Sequence, residues 1–134
     1  MKRGIVGAFV AAAIGLTLGA GAVLARAAPI STEVDLKGFG LGPSLAQAEG
    51  LVSSPNDRCV SRRKVQIFVL YASDPPELIG ADSTSHNGAF FVTGDPSSSS
   101  SPTALKAKVL RKTIGRRHHH RLCKADSDTQ SVID

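Results

Sequence analysis

Three sets of side chains in this sequence have types and spacing that bear on chemistry. Cys59 and Cys123 are its two cysteines. His118, His119 and His120 are consecutive imidazoles set among Arg116, Arg117 and Arg121. Serines recur in turn-like segments, with Asp74, Glu77, Asp126 and Asp128 as the nearest candidate acids. The cysteines lie far apart and form no C-x-x-C pair, which argues against a metal knuckle. In an exported chain an even cysteine count reads as a disulfide, because that compartment is oxidising. A bridge closing about 65 residues is worth on the order of 4 kcal/mol in the chain-entropy account.

Three imidazoles can hold zinc or copper. In a strand, however, successive side chains point to opposite faces, so at most two would converge. The neighbouring arginines also oppose a second cation. His118–His120 is therefore read as an exposed basic loop rather than a metal site, and no cofactor is expected. Arg116, Arg117 and Arg121, with Arg111, Lys112 and Lys124 nearby, suit contact with anionic polymers such as teichoic acids, lipid headgroups or polysaccharide. A solvated hairpin is the simpler reading of the same segment. It carries no interleaved aromatic residue for base stacking, so nucleic acid is not expected.

No catalytic residue is assigned. The chain has no Gly-x-Ser-x-Gly, so a Ser/His/Asp set would rest on abundance alone. His86 sits beside Asn87-Gly88 in a turn. Asp74 and Glu77 flank Pro75-Pro76, with no evident pocket to raise either pKa. Asp126 and Asp128 have the spacing of two calcium ligands but lack the glycine and glutamate that complete an EF-hand loop.

The elements that must position these groups begin after a leader. Lys2 and Arg3 precede an uncharged run from Ile5 to Ala25, and Ala25-Arg26-Ala27 has the small-x-small form of a cleavage site. Residues 1–27 are thus expected to form a cleaved signal helix. An uncleaved anchor is the rival, since the run is near the roughly 20 residues that span a bilayer. The whole chain of 134 residues carries 16 Lys and Arg against 11 Asp and Glu. Loss of Lys2, Arg3 and Arg26 reduces the formal charge from +5 to +2, so charge alone argues weakly for a polyanion partner. The remaining residues, 28–134, suffice for one modest core, expected mainly over 48–134.

The central element is Cys59 to Tyr71. Val65, Ile67, Val69 and Tyr71 alternate with Lys64, Gln66, Phe68 and Leu70, the pattern of a strand with one buried face. Ser31–Leu36 alternates in the same way. Gly38, Gly40 and Gly42 before Pro43 read as a break and a flexible connection. Ser44–Glu49 suits a helical turn or the approach to a strand over Ala48–Ser53. Leu78–Thr84 and Ala89–Thr93, joined through His86-Asn87-Gly88, read as a hairpin. Residues 96–102 form a serine-rich, low-complexity loop with nothing to bury. Leu105–Arg111 alternates as a strand, although Ala, Leu and Lys also favour helix. A last strand is expected from Leu122 towards Ile133. About six or seven short strands separated by turns suggest an all-β sandwich.

The order Arg63-Lys64-Val65-Gln66-Ile67, Asn87-Gly88-Ala89-Phe90-Phe91-Val92, Leu105-Lys106-Ala107-Lys108-Val109 and Cys123-Lys124-Ala125-Asp126-Ser127 resembles small exported bacterial domains of the carboxypeptidase-regulatory-like, transthyretin-like group. The resemblance covers about half the chain. It implies a seven-stranded antiparallel, Greek-key-like sandwich and a non-catalytic accessory or cell-surface role. Ser97–Ser101 and the histidine-rich tip depart from that pattern. The expected protein is secreted or held at the cell surface, works as a structural or binding module, and has an envelope polymer or another protein as partner. The leader is its only expected link to a membrane.

Overall fold

A computed structural model describes residues 28–132, apart from Pro43 and Arg117. The expected signal helix over 1–27 lies outside these residues. Nine strands are described: β1 (Glu33–Leu41), β2 (Ala46–Ser53), β3 (Lys64–Tyr71), β4 (Glu77–Ser83), β5 (Ala89–Gly94), β6 (Pro102–Val109), β7 (Lys112–Ile114), β8 (Arg121–Cys123) and β9 (Asp126–Ser131). A single 3-10 turn, Asp57–Cys59, precedes β3 and is capped by the Asn56 side chain, which accepts from the Arg58 N–H. Among the described residues no helix is long and apolar enough to cross a membrane.

β3 follows the alternation of its residues. Val65, Ile67, Val69 and Tyr71 are buried, and the residues between them are not. It lies in a four-stranded antiparallel sheet of order β4-β3-β6-β9. A three-stranded antiparallel sheet, β1-β2-β5, supplies the second layer. The core lies between the two layers. Val34, Leu36, Ala48, Val52, Phe90 and Val92 meet Val65, Ile67, Leu105, Ala107 and Val109. Full burial of such aliphatic side chains favours folding by about 1.5–3 kcal/mol each over leaving them exposed. Residues 102–109 are strand rather than helix, because Leu105, Ala107 and Val109 fill the core at every second position. β7 and β8 form a separate two-stranded ribbon at one end.

Three expectations change. The glycines after Leu36 do not end regular structure: β1 runs through Gly38 and Gly40, which pair with Glu49 and Gln47 of β2 after a bulge. A strand accepts glycine where its partner supplies the cross-strand side chains. Leu78–Thr93 is not a hairpin. The turn at Gly88, with φ +90°, joins β4 of one sheet to β5 of the other. Turn chemistry reverses the chain but does not choose the sheet it enters. The last strand is interrupted, with β8 paired to β7 and β9 to β6.

Aspartates close both seams between the sheets. At the β1–β9 seam, the Val34 N–H donates to Asp126 Oδ2 (2.9 Å) and the Leu36 N–H to Asp128 Oδ2 (2.8 Å). At the β4–β5 seam, the Phe91 N–H donates to Asp82 Oδ2 (3.1 Å). Edge N–H groups left unpaired would invite association with another strand. The sandwich therefore has two distinct ends. β3 starts at the disulfide end and finishes, with Tyr71, at the serine end.

Candidate functional site

The disulfide end is assembled around one buried cation. Cys59 and Cys123 are bonded, with Cα atoms 5.5 Å apart. Ile30 and Ile114 pack on the pair. Ile30 joins the ribbon as well: its N–H donates to the Leu122 carbonyl (2.7 Å) and its carbonyl accepts from the Lys124 N–H (2.9 Å). Beside them Arg63 is fully buried. Its Nη1 donates to the Cys59 carbonyl (2.6 Å) and Thr32 Oγ1 (3.1 Å). Its Nη2 donates to the carbonyls of Leu110 (2.7 Å) and Lys124 (2.9 Å). Nε has no partner. Burial pushes this guanidinium below its usual pKa, yet arginine stays charged in proteins. One side chain thus ties the segment before β1, the turn before β3, the end of β6 and the β8–β9 link.

That tie forces the chain just before it into an unusual path. Arg62 has φ +53°, the only positive value at a non-glycine among the described residues. Its N–H donates to the Thr84 carbonyl (3.0 Å), while the Arg63 N–H donates to Thr84 Oγ1 (2.8 Å). The buried Thr84 hydroxyl in turn donates to the Val60 carbonyl (2.6 Å). Left-handed backbone costs a side-chain-bearing residue roughly 1–2 kcal/mol. It turns Arg62 outward, next to the start of β7.

A cleft of about 650 Å³ opens there, between the Arg58–Arg62 turn, the β4–β5 connection and β7. Arg58, Arg62, Lys112 and His86 line it, with Ile114 and Gly115 at its border, and no carboxylate does. Lys112 Nζ is fixed by donating to the carbonyls of Ser61 (2.9 Å) and Arg58 (3.3 Å). Burial, and then repulsion from Arg63, Arg62 and Arg58, holds its pKa below the usual lysine value. Among the described residues the one ion pair is Lys37–Asp35, on the surface of the three-stranded sheet. The cations of the cleft therefore have no internal counter-charge, and an anion is the ligand that such an arrangement attracts.

The residues singled out in the sequence are dispersed. Arg116 is exposed at the β7–β8 turn, and Arg117 lies outside the described residues. Arg121 is exposed, and its Nη2 donates to the Ala28 carbonyl (3.3 Å). His118, His119 and His120 are exposed on the same turn, where the His119 N–H donates to the Arg116 carbonyl (2.7 Å). Among the described residues no three His, Cys, Asp or Glu side chains gather as a metal site. Asp126 and Asp128 serve the β1 seam. Gly115, with φ +104°, forms the turn, and a Cβ there would lie 2.0 Å from the His119 carbonyl oxygen.

At the far end, the serine-rich loop is held rather than loose, because Glu77 and Asp74 reach it from 20 or more positions earlier. Glu77 accepts from the Ser97 hydroxyl (2.6 Å) and N–H (3.0 Å) and from the Tyr71 hydroxyl (2.6 Å). Asp74 accepts from the hydroxyls of Ser98 (2.6 Å) and Ser100. The Ser97 and Tyr71 donors hold the Glu77 carboxyl down at about 2. Burial, then the bond to Glu77, pushes the Tyr71 phenol up to about 12. The Tyr71–Glu77 hydrogen bond contributes to both shifts, second to Ser97 for the carboxyl and second to burial for the phenol. Asp74 is likewise lowered by Ser100 and Ser98. Both carboxylates, considered in the sequence as a catalytic pair, are thus kept ionised and engaged.

The cleft was not foreseen from sequence. Its lining comes from three separated segments and its cations from two of them, Arg58 and Arg62 before β3 and Lys112 in β7. Arg63 did carry a signal, for it lies in phase with Val65, Ile67 and Val69 on the buried face of β3. Comparison of the chain with protein-family models, curated proteins and solved structures finds no match.

Proposed function

We propose that this is an exported, non-enzymatic β-sandwich module, of the transthyretin-like kind with Greek-key connectivity, that acts by binding an anionic polymer of the cell envelope or its surroundings. The observation that carries this reading is the cleft itself: Arg58, Arg62 and Lys112 face one concavity that holds no carboxylate. The exposed Arg116, Arg121 and His118–His120 extend the cationic surface along the β7–β8 ribbon. An exported location accords with the disulfide, which oxidising compartments favour. A non-catalytic role accords with the distribution of reactive groups: His86 shares the cleft with Ser61 and Ser85 but with no carboxylate, and Asp74 and Glu77 are occupied by serines at the other end.

The test is equilibrium binding, at low and raised salt, of the folded protein to three polymers: poly(glycerol phosphate), polyglucuronate and dextran sulfate. Binding to at least one, weakened by salt and by the combined change Arg58→Gln, Arg62→Gln and Lys112→Gln, is expected. If none of the three binds at low salt, the reading fails.

A further inference from the structure

We infer that the cleft selects a tetrahedral oxyanion, such as a phosphate group, over a carboxylate, and this rests on the anionic-polymer reading above. The first argument is charge. Three cations without an internal counter-charge, Lys112 among them held by two carbonyls, are poorly matched by the single negative charge of a carboxylate. Free phosphate or a phosphate monoester carries close to two charges near neutral pH.

The second argument is direction. The cations approach from different elements: Arg58 and Arg62 from the turn before β3, and Lys112 from β7. Ser61 and Thr113 also line the cleft. Donors that enter one cleft from different elements suit a tetrahedral oxyanion, whose oxygens diverge, better than a planar carboxylate. Arginine forks and a fixed lysine are the usual partners of phosphate oxygens.

The third argument is the backbone at Arg62. A glycine at φ +53° would carry no strain. Arg62 makes no internal bond with its side chain that would offset the strain, and it faces the cleft. The fold needs the turn there but not an arginine to bear it, and a side chain kept where glycine would be unstrained is a mark of function. Lys112 agrees with this: it is held by two carbonyls in the company of three guanidinium groups, where only an anion relieves the repulsion.

The experiment is a titration of the protein's amide spectrum with inorganic phosphate, sulfate and acetate at constant ionic strength, followed by poly(glycerol phosphate) against polyglucuronate. Saturable shifts at residues 61–62, 84–86 and 112–115 are expected, with phosphate and sulfate both tighter than acetate. Poly(glycerol phosphate) should bind more tightly than inorganic phosphate if the phosphate is that of a polymer; tighter inorganic phosphate identifies the free ion as ligand. Arg62→Gly should weaken phosphate binding roughly tenfold, the loss of one charge-assisted contact, while raising the unfolding midpoint. Arg58→Gln, which removes no internal side-chain bond, should weaken binding similarly in a protein of unchanged stability. Lys37→Gln, on the surface of the three-stranded sheet and away from the cleft, should leave phosphate binding unchanged. Equal affinity for acetate, or shifts spread evenly over 111–121, would overturn the inference. Binding of polyglucuronate in preference to the phosphate polymer would overturn it too, while leaving the anionic-polymer reading in place.

Discussion

At one end of the sandwich the strands converge on Arg63 and Cys59–Cys123; at the other they converge on Tyr71, Glu77 and a run of serines. The first end is fastened by a covalent bond and by a guanidinium that reaches three carbonyls from three parts of the chain. The second is fastened by an exposed and a half-buried carboxylate, Asp74 and Glu77, that accept from hydroxyls and one backbone N–H. The first has surplus positive charge and opens into a cleft. The second spends its negative charge on its own loop. The comparison teaches that rigidity and charge can be separated: Arg63 and the disulfide fix the backbone, and so leave Arg58, Arg62 and Lys112 free to face outward. Where the charged groups are themselves the fastening, as with Asp74 and Glu77, little is left for a ligand.

The comparison is broken most directly at the disulfide. Replacing Cys59 and Cys123 together by alanine should cost about 4 kcal/mol of stability in urea unfolding, from the freed loop. Next, Arg63→Lys should cost about 3 kcal/mol by the same measurement, because one ammonium cannot reach all the carbonyls that the two Nη atoms now serve. If either change costs no more than a serine-to-alanine change at Ser98, the ends are not fastened differently.

At the serine end the expected effects are smaller and depend on pH. The chain has one tyrosine, so its ionisation can be followed directly by ultraviolet absorbance. The midpoint should lie at about 12, and Glu77→Gln should bring it down towards the ordinary value of 10.0. With its folded pKa raised, Tyr71 contributes stability that is present below pH 10.0 and lost as pH rises through about 12. Glu77 has the opposite sign. Its folded pKa is depressed from 4.5 to about 2, so its contribution is present above pH 4.5 and lost as pH falls through about 2. Amide exchange at Ser97 and Ser100, corrected for intrinsic rates, should quicken over that acid range, while amides paired in the β7–β8 ribbon keep their protection. Equal loosening at both ends would blur the distinction.

Much of the scaffold was legible in the residues. The alternation from Val65 to Tyr71 specified β3 and its buried face, and the cysteine count specified the bridge. Leu105, Ala107 and Val109 resolved strand against helix by their period. What escaped was information not local to any segment. Gly88 marked a reversal, yet only the competition between β2 and β3 for partners decides that β5 enters the other sheet. The serines looked loose by composition because their acceptors, Asp74 and Glu77, come from across a turn and a strand. The basic run from Arg116 to Arg121 drew attention by density. The concave site instead assembles isolated residues, and its one visible cue was Arg63, a charge in phase with a buried stripe.

The covalent tie has a further consequence for the life of the molecule. The serine-rich segment lies between the two half-cystines along the chain. A peptidase that severs the backbone there produces two fragments that do not separate until a reductant is added. Arg58, Arg62 and His86 would belong to one fragment and Lys112 to the other, yet the same bridge would keep them side by side. A nicked molecule would therefore run as two pieces only under reducing conditions and would still present its cationic face.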